Sequence, residues 1–371
     1  MVHVLFDDEI FSIQAYGGIS RYFTELIGGL AAVADMDVRL PFDLTVNKYI
    51  AASPQFRGRM LAGGRRVPGG RTFTRMVNRR AVNRALGRGD YDLVHATLYD
   101  PTLSSRIGRA KLVITVHDMV PEVMPEAVGG IGRLFSQFKE MLIRQADGVI
   151  AVSATTAADI ARLTRRPVET ISVIHHGISD EMRWKPELGP GPALPERFFL
   201  FVGQRRAYKN FAAVAPALAD VLRSDPELAV VCFGGSPFLE QETAPFEAAG
   251  VRSRLIAVSG GDQALASVYA RALALVYPSS YEGFGLPILE AMINRCPVLV
   301  QRLSCIPEIA GDAALYFDAA RQDETRELLG RVARDAALRR HFADAGVRRA
   351  ASFTWQRCAD QHAALYRSLA S

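Results

Sequence analysis

Two carboxylates, Glu282 and Glu290, flank the run Gly283-Phe284-Gly285-Leu286-Pro287. The apolar residues 272–277 before them read as a buried strand, and 288–293 after them as a helix, so the glycines fall at a strand-to-helix turn. Glycine lets backbone approach a ligand closely. Pro287 suits a first helical turn, where its missing N–H would lack a partner anyway. Such a turn aims free N–H groups and the positive end of a helix at one point, a place suited to a phosphate or a polar sugar. Both carboxylates can face that point. A second strand-to-helix loop, Gly203-Gln204-Arg205-Arg206-Ala207-Tyr208-Lys209, carries three cations. Its plain reading is a solvated basic loop. On a departing diphosphate, one such charge at 4 Å would contribute on the order of 4 kcal/mol near a protein surface. Arg205 and Arg206 compete for the place beside Lys209.

The first half of the chain offers weaker signals. Gly17 and Gly18 precede a helical pattern with apolar residues at 19, 22, 23, 26, 27 and 30. Adjacent glycines let a phosphate meet a helix N-terminus, although they also serve as simple turn residues. The spacing is not G-x-G-x-x-G, which argues against a nicotinamide oxidoreductase. His117 ends the apolar run 112–116, at the strand edge where parallel sheets bind ligands, and Asp118 stands next to it as a candidate orienting group. His175-His176-Gly177 reads as a turn. Asp35-Met36-Asp37 has the D-x-D pattern of a carboxylate metal site but falls at the wrong end of the sheet, so no metal ligands are assigned.

The elements that must position these groups alternate. Strands are predicted at 2–6, 92–96, 112–116, 148–152 and 170–174, with helices at 18–33, 72–87, 131–146 and 154–164. After a Pro- and Gly-rich stretch the alternation restarts, with strands at 198–202, 228–233, 254–258, 273–277 and 297–301. Helices at 209–223, 262–272 and 286–294 accompany them, and three more close the chain. Alternation of this kind predicts an α/β protein with two Rossmann-like, doubly wound parallel-sheet domains facing a cleft. The expected domains are 1–183 and 198–352, joined by a linker at 184–197, with a final helix at 353–371 packing back towards the first domain.

The 371 residues suit two cores, and 49% apolar with 22% charged residues is an ordinary globular balance. The chain enters a strand at once, and its four cysteines are scattered, so neither a leader, a disulfide framework nor a zinc site is expected, and the cytoplasm is the expected compartment. The net charge of +5 is uneven: between Arg57 and Gly89 there are ten arginines and no acidic residue. The segment from Arg57 to Arg88 therefore predicts either a solvated face or peripheral contact with an anionic membrane or lipid-pyrophosphate acceptor. Nothing resembles a nucleic-acid module.

Several of these pieces occur together in one known family. Tyr16-Gly17-Gly18-Ile19-Ser20-Arg21, Val116-His117-Asp118, Phe201-Val202-Gly203 through Lys209-Asn210, and above all Pro278 through Met292 resemble the retaining glycosyltransferases of family 4, which have the GT-B fold. Cys296-Pro297-Val298 and Phe353-Thr354-Trp355 extend the resemblance over nearly the whole chain. It implies a donor site for a nucleoside-diphosphate sugar. Glu290 would hold the ribose. Glu282 and the backbone of Gly283, Phe284, Gly285 and Leu286 would hold the donor sugar. Arg205 and Lys209 would clamp the diphosphate, Gly17 and Gly18 would meet it from the first domain, and His117 would touch the sugar near the acceptor. It further implies that Glu282, His117, Arg205 and Lys209 serve the reaction and that no cofactor or metal is required. The anomeric configuration would be retained, with the departing phosphate taking the acceptor's proton. The N-terminal stretch leans towards a GDP-mannose donor, with a glycan or polyprenyl-linked acceptor in cell-surface polysaccharide synthesis. A non-catalytic sugar-nucleotide-binding protein would look alike. One departure stands out: Arg295 occupies a helix end where the family has glycine, so either the turn is rebuilt or Asn294 takes the left-handed place.

Overall fold

A computed structural model describes residues 1–65, 67–127, 130–189, 191–205 and 207–371. Arg206, one of the two arginines weighed for the diphosphate loop, lies outside the described residues. The chain forms two compact units, Met1–Gly177 with Thr354–Ser371, and Ile178–Phe353. The Pro- and Gly-rich stretch 184–197 therefore belongs to the second unit, and the closing helix Trp355–Ala370 to the first.

In the first unit, β1 (Val2–Phe6) and β2 (Met36–Arg39) are followed by a short pair, β3 (Leu44–Thr45) and β4 (Arg59–Met60), which forms its own two-stranded sheet. Then come β5 (Leu93–Ala96), β6 (Lys111–Val116), β7 (Gly148–Ala151) and β8 (Ile171–Val173). The main sheet is parallel in the order β2-β1-β5-β6-β7-β8. β5 and β7 are buried at every residue, as expected for parallel strands covered on both faces. Ser153 caps the helix Ala154–Thr164 by accepting a hydrogen bond from the Thr156 N–H at 3.1 Å.

The second unit holds β9 (Arg197–Val202), β10 (Leu228–Phe233), β11 (Leu255–Val258), β12 (Ala274–Tyr277), β13 (Val298–Gln301) and β14 (Leu315–Phe317). They form a parallel sheet in the order β11-β10-β9-β12-β13-β14. Phe199, Phe201, Phe211, Leu218, Leu222 and Phe246 lead its core. In each sheet the strand order reverses once, at β1/β5 in the first unit and at β9/β12 in the second. Loops leaving the carboxyl ends of the two strands at such a reversal diverge to opposite faces and leave a crevice between them. The turn holding Gly17 and Gly18 follows β1 after a short helix (Glu9–Ile13), and the turns holding Lys209 and Glu282 leave β9 and β12.

The turn after the helix Leu286–Ile293 is settled by Arg295 itself, at φ 59°. A non-glycine residue there costs about 1–2 kcal/mol. Asn294 is occupied elsewhere: its side chain accepts from the Trp184 N–H and donates to the Met182 carbonyl, both at 2.7 Å. The Arg295 side chain reaches Asp344 at 2.5 Å.

Candidate active site

The turn after β12 is fixed from several sides. Gly285 caps the helix Leu286–Ile293 at φ 93°, and a Cβ there would also press on Ile288 at 3.2 Å. The buried Gln301 side chain holds the Pro278 carbonyl. The Ser304 hydroxyl accepts from the Glu282 N–H at 3.3 Å and donates to the Glu282 carbonyl at 2.7 Å, while the Cys305 thiol meets the same carbonyl at 3.1 Å. Glu282 is thus 8% exposed with its backbone gripped on both sides.

The loop after β9 is tied to this turn. The Ser280 N–H and hydroxyl both donate to the Tyr208 carbonyl, at 2.8 and 3.2 Å. Asn210, at φ 57°, then caps the helix Phe211–Ser224. The result places the Lys209 ammonium 2.7 Å from the Glu282 carboxylate, within 5.2 Å of the Tyr208 ring centre and 5.5 Å of the Tyr277 ring centre. Burial, with the Glu282 charge next in weight, raises the Tyr277 phenol well above its usual value, so it stays a neutral donor. Glu290, 8% exposed on the same helix that Gly285 caps, accepts a hydrogen bond from Tyr269 at 3.1 Å.

Arg205 behaves differently from the clamp that the sequence suggests. Its guanidinium is buried, paired with Glu242 at 3.2 Å, and hydrogen-bonded to the carbonyls of Gly234 and Ser236. It stacks over Phe238 at 4.3 Å. The structure turns it into its own unit, where it shapes the loop after β10.

In the first unit, Gly17 precedes the helix Gly18–Ala31. The Gln14 amide stands within 2.7 Å of where a Gly17 Cβ would be and accepts from the Ser20 N–H at 3.0 Å, so the helix end has a side-chain cap. His117 sits 4.8 Å from the Tyr22 ring, and both of its ring nitrogens are buried without a hydrogen-bond partner among the described residues. Burial first, and the Lys139 charge second, pull its pKa down to about 3, so the ring is neutral. Asp118 does not orient it; that carboxylate accepts from the Val120 N–H at 3.0 Å. His176 joins the same aromatic cluster, 4.7 Å from Tyr22. Asp35 and Asp37 are held by Arg367 at 2.6 Å and by Arg39 at 2.8 Å.

Sequence reasoning missed Gln14, Glu242, Tyr269, Tyr277, Ser304 and Cys305. For Tyr277 a signal existed, since it ends the strand that feeds the motif.

A parallel-sheet unit whose switch point joins an acid–lysine pair to a glycine-lined helix N-terminus is suited to a sugar bearing a diphosphate. The model for Glycosyltransferase Family 4 matches residues 16–182, and that for Glycosyl transferases group 1 matches residues 189–349. The O-antigen chain mannosyltransferase B of Escherichia coli is 27% identical over 379 residues, covering 95% of this chain and 96% of that protein. Sucrose-phosphate synthase from Thermosynechococcus elongatus superposes with a TM-score of 0.75 at 20% identity, covering 100% of this chain and 99% of that one. Anabaena Alr3699/HepE, solved with UDP and glucose, gives 0.69 at 17% identity, covering 99% and 100%. The architecture is GT-B and the class is glycosyltransferase. The chain belongs to glycosyltransferase family 4.

Proposed function

We propose that the protein transfers a hexose, mannose in particular, from a nucleoside-diphosphate sugar to a glycan or lipid-linked acceptor in polysaccharide synthesis. The observation that carries this is the Lys209–Glu282 pair at 2.7 Å beside the helix N-terminus that leads to Glu290. The mannosyltransferase relative supports the choice of sugar. Glu290 takes the ribose hydroxyls. Glu282 takes donor-sugar hydroxyls, and the backbone from Gly283 to Leu286 helps it. Lys209 meets the diphosphate, with Arg205 acting through the loop it holds. Gly17, Gly18 and the neutral His117 are substrate contacts of the first unit.

In the proposed reaction the bond from the anomeric carbon to the diphosphate oxygen breaks, and a bond to the acceptor oxygen forms on the same face. The acceptor's proton goes to the departing diphosphate. Lys209 and the helix N-terminus stabilise the charge that develops there, the part a divalent ion would otherwise take. The test is a turnover assay with GDP-mannose and UDP-glucose, following nucleoside diphosphate release with and without glycan acceptors and reading the product anomer by NMR. Acceptor-dependent release from GDP-mannose with an α-linked product is expected. Donor binding without release in any combination would leave only a binding protein.

A further inference from the structure

We propose that a groove in the first unit is a second anion site, taking the phosphate or diphosphate end of a ligand whose adjoining part is apolar. Calling that ligand the acceptor rests on the transferase reading above. The groove encloses about 890 Å³ between the turn before Gly17, the segment after β3, and the loop leading from β4 into the helix Gly70–Arg88. That volume exceeds what a lone phosphate needs and falls in the range of organic ligands.

Its charge is one-sided. Among the described residues that line it none is acidic, and three are cations: Lys48, Arg65 and Arg71. Among the described residues none of the three has a carboxylate partner, whereas Arg75, four residues beyond Arg71, pairs with Glu9 at 2.9 Å. Lys48 instead lies 5.5 Å from the ring centre of Tyr16, itself on the groove wall. Unneutralised cations around one concavity repel each other, and an anion between them removes that cost.

The backbone adds to the same field. Gly69 caps a helix of 19 residues whose first turn opens on the groove, with its positive end inward. Gly63, Gly64 and Gly69, at φ 60°, 84° and 71°, fold the connecting loop in conformations that side chains resist. Beside the polar Gln14 and Thr72, the wall carries an apolar patch of Ile13, Val46, Leu61 and Val67, the last 46% exposed. A cationic end beside that patch matches an alkyl or prenyl phosphate better than a free sugar phosphate.

The test is calorimetric titration of the full chain with geranyl diphosphate, inorganic diphosphate and a neutral geranyl glycoside, in parallel with GDP. Geranyl diphosphate should bind most tightly, and high salt should weaken it. The double variant Arg65→Ser/Arg71→Ser should bind both diphosphates at least about tenfold more weakly while its GDP affinity is unchanged. Undiminished binding by the double variant, or a neutral glycoside that binds as tightly as geranyl diphosphate, overturns the anion site. Inorganic diphosphate binding as tightly as geranyl diphosphate overturns its apolar half. Failure of the transferase reading shows separately, as loss of GDP binding with geranyl diphosphate binding intact.

Discussion

Glu282 owes its place to a neighbour that the sequence did not announce. Ser304 lies 22 positions on, in a left-handed conformation at φ 54°, and its hydroxyl bridges both backbone groups of Glu282. A non-glycine residue held there costs about 1–3 kcal/mol, a strain that functional sites tend to store. Ser304→Gly should relieve that strain yet release Glu282. The expected result is an unchanged or raised melting temperature with kcat lowered about tenfold. Unchanged kcat would show that Ser304 only closes a turn. The contrast explains what could be read in advance. Glu282 sits in a strand-to-helix turn marked by Gly283, Gly285 and Pro287, Glu290 lies in the helix which that turn opens, and Lys209 follows Gly203 on a second such turn. Ser304 reaches Glu282 from 22 positions on, without any spacing rule. Arg205 was legible as a cation on the loop after β9, but not as the buried partner of Glu242.

At the level of elements, interior parallel strands were readable because burial on both faces makes them continuous apolar runs, as in Leu228–Phe233. The edge strands β8 and β11 were readable, but β2 and β14 escaped. Met36–Arg39 mixes polar and apolar residues, and Leu315–Phe317 is half-buried at two of its three residues. The helix Gly70–Arg88 carries the basic excess, and its packing now explains its blurred pattern. It rests on one narrow row, Gly70, Thr74, Asn78, Val82 and Leu86. Val77, Ala81 and Ala85 are half-buried beside that row, and the outer side includes Phe73 and Met76 at 48% and 58% exposure and Arg79, Arg80, Arg84 and Arg88. Among the described residues no helix is long and apolar enough to cross a membrane. We propose that this face rests on an anionic membrane surface. The protein should co-sediment with phosphatidylglycerol vesicles and not with phosphatidylcholine. Arg79→Ser/Arg80→Ser/Arg84→Ser should weaken binding by about 3 kcal/mol, at about 1 kcal/mol per cation. Equal sedimentation with both lipids would remove the proposal.

For the molecule as a whole, the closing helix is bound to the first unit by a polar chain with a defined direction. Tyr366 donates to His95 Nδ1 at 2.6 Å, His95 Nε2 meets Thr115 at 2.9 Å, Thr115 meets Tyr22 at 3.0 Å, and Tyr22 meets His362 Nε2 at 2.8 Å. His362 Nδ1 must carry its proton, because it faces the Cys358 carbonyl at 2.8 Å. That fixes every donor in the chain and keeps both histidines neutral. Burial is the main cause, lowering His362 to about 4 and His95 well below its usual value. The unfolded chain takes up protons near pH 6.5 that the folded unit refuses, so this stability is complete above about pH 6.5 and is lost as pH falls towards 4. The melting temperature should therefore drop between pH 6.5 and 4.5, and His362→Gln should flatten the drop. A wild-type melting temperature constant over that window would contradict the assignment.

We propose that Glu282, Glu290 and Lys209 of the second unit grip the donor. The most direct measurement is the donor affinity and turnover of Glu282→Gln, Glu290→Gln and Lys209→Met beside the wild type. Lys209→Met leaves Glu282 buried without its cation and should cost about 3 kcal/mol of stability. Binding must therefore be read well below each variant's melting temperature. Glu290→Gln and Lys209→Met should weaken GDP-mannose binding at least about tenfold. Glu282→Gln and Lys209→Met should lose turnover by at least about a hundredfold. Folded variants that bind and turn over the donor as the wild type does would show that these three residues do not hold it.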